Sequence, residues 1–181
     1  IAAGASSKEL FLFKGNAEFI QKDFDSAEKN LEKALSMGVS DGEASKNLAD
    51  LNFLKNDFAS AIKHYDNAVK LGVTDPVLFN NRGKAKLNSN DIPGSISDFD
   101  KAIQINPGYG KALLNRGTAK FMMKDYTGAS ADLEATKTES ERAEVSNILG
   151  VSYYHLGKKD VARTNLDKAI EAGVKDSKTY L

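Results

Sequence analysis

The stretch Phe79-Asn80-Asn81-Arg82-Gly83-Lys84-Ala85-Lys86-Leu87 returns 34 residues later as Leu113-Leu114-Asn115-Arg116-Gly117-Thr118-Ala119-Lys120-Phe121. A segment that recurs at such an interval is a structural unit, and it restricts the chain to folds built by stacking copies. Anchored on a small residue, the unit occurs five times, at Gly15, Ala49, Gly83, Gly117 and Gly150, with spacings of 34, 34, 34 and 33. A second small residue follows twelve places on, at Ala27, Ala61, Ser95, Ala129 and Ala162. A large apolar residue comes four later (Leu31, Tyr65, Phe99, Leu133, Leu166), then a third small position (Ala34, Ala68, Ala102, Thr136, Ala169).

Apolar residues recur at three- and four-residue steps, as in Phe99, Ala102 and Ile103, which divides each unit into two helices of about 13 residues. Polar breakers separate the two: Lys22-Asp23, Asn56-Asp57, Asn90-Asp91, Lys124-Asp125 and Gly157-Lys158. Pro93 stands just after one such turn, where its missing N–H costs nothing, and Pro76 follows Asp75, a good N-cap. Units close at Gly38-Val39, Gly72-Val73, Asn106-Pro107 and Gly173-Val174. Gly or Asn just past a helix end is the expected left-handed cap. The repeats are expected at 8–41, 42–75, 76–109, 110–142 and 143–176, after a flexible segment 1–7. Residues 177–181 read as the start of a truncated capping helix. The fourth unit is one residue short, and a distorted junction is expected at Thr136 to Glu141.

Composition narrows the function. The chain has 25 Lys+Arg against 25 Asp+Glu, a balance that argues against a general nucleic-acid binder. With no cysteine there are no disulfides, thiolate metal sites or cysteine nucleophiles, although the compartment stays open between cytoplasm and periplasm. No apolar run approaches the roughly 20 residues needed to span a bilayer, so a soluble chain is expected. The chain opens at Ile1 without an initiator Met, which reads as a trimmed or mature piece of a longer protein.

His64 and His155 occupy different places in their units and lack the partner spacing of a zinc site, so both are expected at the surface or a groove edge. Gly108-Tyr109-Gly110 opens a GxGxxG, but Leu113 stands at the third glycine and no strand precedes it. No nucleophile elbow or phosphate loop is present, and the reading is of a protein that is not an enzyme and takes no cofactor or metal.

The small–large–small pattern over two helices per 34 residues resembles the tetratricopeptide repeat, across about 8–176. The family's bulky residue near the start of each unit appears as Phe11, Ser45, Phe79, Leu113 and Ser146, and its closing Pro survives as Pro107 alone. The resemblance implies an all-α, right-handed superhelical solenoid with first helices lining a concave face. It implies a protein–protein interaction module that binds a peptide segment or helix of a partner in that groove. Physical reasoning agrees on the fold: a lone helix hairpin cannot bury its apolar face, and the small residues let neighbours approach. A bulky side chain at Gly83 or Ala102 is therefore expected to overpack a close helix contact.

Carried onto this sequence, the family's ligand positions give the expected groove residues Lys46, Asp50, Asn80, Asn81, Lys84, Lys111 and Asn115. Asn47, Asn81 and Asn115 form a row at 34-residue spacing, suited to an extended backbone because each amide both donates and accepts. The same row serves equally to tie adjacent helices together. Some relatives clamp a C-terminal carboxylate; here Lys46, Asn81 and Lys111 match that motif, while Asp50 and Asn115 replace an Asn and an Arg. Asp50 repels such a ligand unless it pairs with Lys46 four residues away.

Charge is unevenly spread. Residues 76–124 carry eight basic and three acidic side chains, whereas 1–75 carry nine and twelve. A basic middle steers an acidic tail toward the centre, with Lys84 and Lys111 pointing into the groove and the other bases on a solvated flank. A structural scaffold, self-assembling through the convex face or the repeat ends as a homo-oligomer, is the alternative.

Overall fold

The structure is a computed structural model that describes residues 6–136 and 143–173. Residues 1–5 of the expected flexible start (1–7), residues 137–141 of the expected distorted junction and the expected capping segment (177–181) lie outside the described residues. Ser6 and Ser7 are not a flexible tail: Ser6 caps the first helix in a capping box with Glu9, and Ser7 opens it. The rest is all α, with ten helices and no strand among the described residues.

The chain divides into two compact units, residues 1–89 and 90–181. The first holds α1 (Ser7–Ile20), α2 (Phe24–Ser36), α3 (Gly42–Leu54), α4 (Phe58–Lys70) and α5 (Pro76–Asn88). The second holds α6 (Ile92–Ile105), α7 (Gly110–Met122), α8 (Tyr126–Ala135), α9 (Ala143–His155) and α10 (Lys159–Glu171). The third repeat thus gives α5 to one unit and α6 to the other.

The turn chemistry repeats with the sequence. Lys22, Asn56, Asn90 and Lys124 all take the left-handed conformation, at φ 60 to 63°, and Gly157 does so at 75°. Each of the first four is followed by an Asp that caps the second helix. Asp23, Asp57, Asp91 and Asp125 accept from the backbone N–H of Ser26, Ser60, Gly94 and Gly128 at 3.3, 3.1, 3.0 and 2.9 Å. Such a cap contributes about 1 kcal/mol. Between repeats, Asp41 and Asp75 cap α3 and α5 in the same way. Gly38, Gly72 and Gly173 close their helices with φ of 83, 91 and 91°. Asn106 does not: its φ of −133° and ψ of 94° are extended. The expectation of a left-handed cap there fails because Pro107 follows, and the pyrrolidine ring excludes helical geometry from the preceding residue.

Within a repeat, the two helices cross where one side chain is missing. A Cβ on Gly15 would lie 2.8 Å from Leu31 Cγ, one on Gly117 2.9 Å from Leu133 Cγ, and one on Gly150 2.6 Å from Leu166 Cγ. The second repeat carries Ala49 and Tyr65 at these places, both fully buried. Around these crossings the first unit builds a core from Leu12, Ala27, Leu31, Ala34, Ala44, Leu48 and Leu51. The second unit builds one from Phe121, Ala129, Leu133, Val145, Ile148, Leu149, Tyr153 and Ala162. Burying one such Leu or Val contributes about 1.5–3 kcal/mol. At ten residues α8 is the shortest helix described, and Thr136 beyond it is buried with its hydroxyl donating to the Leu133 carbonyl at 2.6 Å.

Candidate functional site

First helices in the first unit present a row of polar side chains joined from repeat to repeat. Asn47 Nδ2 on α3 donates to Asn16 Oδ1 on α1 at 3.0 Å. Asn81 Nδ2 on α5 donates to Asp50 Oδ1 on α3 at 3.2 Å. Both bonds span 31 residues, so they are one contact made twice, between a sixth-position Asn and the ninth position of the repeat before. Of the two roles open to the Asn row, tying helices together is therefore occupied at Asn47 and Asn81. Each amide retains a carbonyl oxygen with a further lone pair.

Asp50 is the focus of this row. Besides Asn81 it accepts from the Tyr65 hydroxyl, which reaches up from α4. Burial raises the Asp50 carboxyl above its ordinary value, against the opposing pull of the Tyr65 and Asn81 hydrogen bonds. The Lys46–Asp50 pair that would relieve the repulsion of a carboxylate ligand is not what forms. Lys46 Nζ instead bridges Asp75 Oδ2 at 3.0 Å and Glu43 Oε2 at 3.1 Å. Asp75 sits at the mouth of α5, where its fixed capping carboxylate is a better-placed partner than a side chain already committed to Tyr65. Burial lowers the Lys46 ammonium, but the hydrogen bonds from Asp75 and Glu43 outweigh it and the net shift is upward.

Asn80 is buried, at 3% exposure, and its Nδ2 donates to Asn81 Oδ1 at 3.2 Å. It supports Asn81 from behind. Lys84 is half-buried, with its Nζ 5.1 Å from the centroid of the Phe53 ring. Of the other expected groove residues, Lys111 is exposed and Asn115 half-buried on α7 of the second unit. Ile20 and Leu54, 34 residues apart at the ends of α1 and α3, are 80% and 61% exposed. Sequence reasoning passed over them, and over Asn16, Tyr65 and Asp75. A usable signal was present: Asn16 stands 31 before Asn47 as Asp50 stands 31 before Asn81.

The basic middle also reads differently in three dimensions. Arg82 Nη1 meets Asp66 at 2.8 Å and lies over the Phe79 ring. Arg116 donates to Asp132 through Nε at 2.8 Å and Nη2 at 2.5 Å, and to Asp100 through Nη1 at 2.6 Å. Lys120 reaches Asp132 at 2.9 Å. These bases are not a solvated flank. Their acids lie on second helices, sixteen residues away for Asp66, Asp100 and Asp132, and an inspection of first helices alone misses them. His155 is exposed and stacks on Tyr126 at 4.3 Å, while His64 is half-buried on α4 beside Lys63 and Lys70.

Residues 14–76 match a tetratricopeptide repeat family model. That stretch is similar to tetratricopeptide repeats. No curated protein sequence matches it. Solved structures similar to this repeat array include MamA, at 22% identity over 96% of each chain with a TM-score of 0.79. Another is YrrB, described as a tetratricopeptide-repeat protein with an unusual peptide-binding site. It is 19% identical over 91% of this chain and 86% of its own, with a TM-score of 0.81. PilF of Pseudomonas aeruginosa aligns at 18% identity over 95% and 79% of the two chains, with a TM-score of 0.70. At these identities the likeness is one of fold. Among the described residues of the repeats, no helix is long and apolar enough to cross a membrane.

Proposed function

We propose that this protein-interaction repeat module binds an extended segment of a partner protein along the first-helix face. The observation that carries the reading is the side-chain ladder Asn16–Asn47 and Asp50–Asn81, flanked by the exposed apolar pair Ile20 and Leu54. Amides already fixed by one hydrogen bond are held in place for a second, so a ligand backbone meets groups whose rotamer entropy is already lost. The apolar pair supplies the burial that hydrogen bonds alone do not. The peptide-binding site for which YrrB is described lends support by analogy of fold.

Lys46, Asp50, Asn81 and Lys84 are the proposed contacts on the first unit, with Asn80 as support. The carboxylate-clamp variant is weakened, because Lys46 already holds two carboxylates. An acidic ligand must compete with both. The reading is of a binding module rather than an enzyme.

The test is selection of random displayed peptides on the intact chain, followed by titration of the recovered peptides against Leu54→Glu and Lys84→Glu. Loss of about tenfold in affinity on either, with an unchanged circular dichroism melt, supports the reading. Peptides that bind both variants as well as the parent place recognition elsewhere and overturn it.

A further inference from the structure

Every site in a repeat array has counterparts at fixed offsets, and one site here holds a ring where its counterpart is open. In three repeats the last turn of the first helix and the first residue of the second form one aromatic pair. Phe19–Phe24, Phe53–Phe58 and Phe121–Tyr126 have ring centroids 6.0, 5.5 and 5.8 Å apart. Where the fourth repeat meets the fifth, a third ring joins the pair. His155, at the end of α9, lies flat on Tyr126 at 4.3 Å with 5° between the planes.

Where the first repeat meets the second, that third ring is missing. Phe24 follows Gly15 as Tyr126 follows Gly117, and Leu54 follows Ala49 as His155 follows Gly150. Leu54 is exposed, and beside it lies a cavity of about 340 Å³ with Phe24, Leu51 and Leu54 as its apolar walls. These walls belong to α2 and α3, between two repeats and inside the first unit. An apolar cavity of about 150 Å³ holds benzene. This one has room for a phenol or an indole.

Charge narrows the occupant. Lys22 and Lys55 stand at the mouth with Asp23 and Asp25, two bases against two acids. Lys55 already bridges Glu28, and Asp23 accepts from the Ser26 backbone N–H at 3.3 Å. The mouth has no net charge to select an ionised side chain, and the apolar walls offer no polar side-chain partner to one. A flat, uncharged ring meets neither cost, and aromatic pairs add attraction beyond the area they bury.

We propose that this cavity takes an aromatic side chain of the bound partner segment, stacked on Phe24 as His155 stacks on Tyr126. The inference rests on the ligand-binding reading above and deepens it. Leu54, which flanks the side-chain ladder, marks the place of a ring that the ligand supplies.

The small molecule p-cresol, a tyrosine side chain by itself, tests the cavity without any peptide. Titrated into the 181-residue chain, it should saturably shift the NMR signals of Phe24, Leu51 and Leu54. Methylcyclohexanol, its saturated counterpart without a π face, should bind about tenfold more weakly. Exchanging the two residues should exchange the two sites. Leu54→His supplies the ring from within and should abolish the shifts at Phe24. His155→Leu should open a second site, read as new shifts at Tyr126. Both positions are exposed, so circular dichroism should be unchanged. In peptides selected on the intact chain, replacing the aromatic residue by Leu should cost about tenfold in affinity. The absence of saturable shifts at Phe24, equal binding of the two probes, p-cresol binding that survives Leu54→His, or a His155→Leu variant that gains no site each overturns the proposal. Any of these leaves peptide capture by the ladder standing. Peptides indifferent to Lys84→Glu and Leu54→Glu remove that capture instead, and leave the ring site as p-cresol reads it.

Discussion

Asp132 faces Arg116 through two parallel hydrogen bonds, Nε to Oδ2 at 2.8 Å and Nη2 to Oδ1 at 2.5 Å, and the residue is 5% exposed. This bidentate pair ties α7 to α8, and Lys120 shares the same acid. The Asp132 hydrogen bonds, opposed by burial, raise the guanidinium further above its ordinary range. Asp132→Ala leaves two cations without their buried anion and should destabilise the protein by about 3 kcal/mol. Asp100→Ala removes a partner whose side chain is 54% exposed and should cost under about 1 kcal/mol. Urea midpoints of the two variants check the contrast, and equal losses would refute it.

Gly117 and Gly110 lie on the same helix with opposite surroundings. A Cβ at Gly117 meets Leu133 Cγ at 2.9 Å, whereas one at Gly110 meets nothing within 4 Å. Gly117→Val should therefore lose about 1–3 kcal/mol to overpacking. Gly110→Ala should be neutral or gain up to about 1 kcal/mol from lower unfolded-state entropy. Thermal melts of the two variants, moving in different directions, are the expected result.

Lys22 and Lys124 sit in left-handed backbone at φ 62°, a region costing a residue with a Cβ about 1 kcal/mol. The fifth repeat has Gly157 at the equivalent place. Lys124→Gly should accordingly stabilise the fold by up to about 1 kcal/mol, while Lys29→Gly, in the body of α2, should destabilise it by a similar amount. A lower melting temperature for Lys124→Gly would contradict the assignment of strain to that turn.

Burial, reinforced by a hydrogen bond donated to Glu134, pushes the Tyr153 phenol up to about 12 from its ordinary 10.0. The sign follows directly. A raised folded value means stability that is complete below pH 10 and is lost as pH climbs through 12. Absorbance titration of Tyr153→Phe should lack one late step, and the variant should lose less of its stability between pH 10 and 12 than the parent. An unchanged titration curve would rule this out.

The period, the helix pairs and the turns were legible because their causes are local. A left-handed residue followed by a capping Asp needs only neighbours in sequence, and it recurs four times as written. Side-chain partners were less legible. Lys46 and Asp50 stand four apart on one helix, which leaves a pair between them open, but Lys46 reaches Asp75 at the N-cap of α5, and Asp50 belongs to Tyr65 of α4. Arg82 and Arg116 looked unopposed on their own helices, since their acids stand sixteen residues away. Asn106 stands past a helix end where a left-handed cap is expected, but the proline beside it decides its backbone. Contacts across helices follow fixed offsets, and such offsets become readable only when two repeats show the same one.

Those offsets have an evolutionary consequence. Bonds at 16 and 31 residues recur because each partner is a position in the unit, not an address in the chain. Duplicating or deleting 34 consecutive residues hands each donor a new acceptor of the same kind. An insertion of any other length inside a repeat strands the donors on both sides of it. Unequal recombination between its own repeats is thus a tolerated way for such a gene to change length, while single-residue changes such as the one that shortens the fourth unit fall at a junction between repeats.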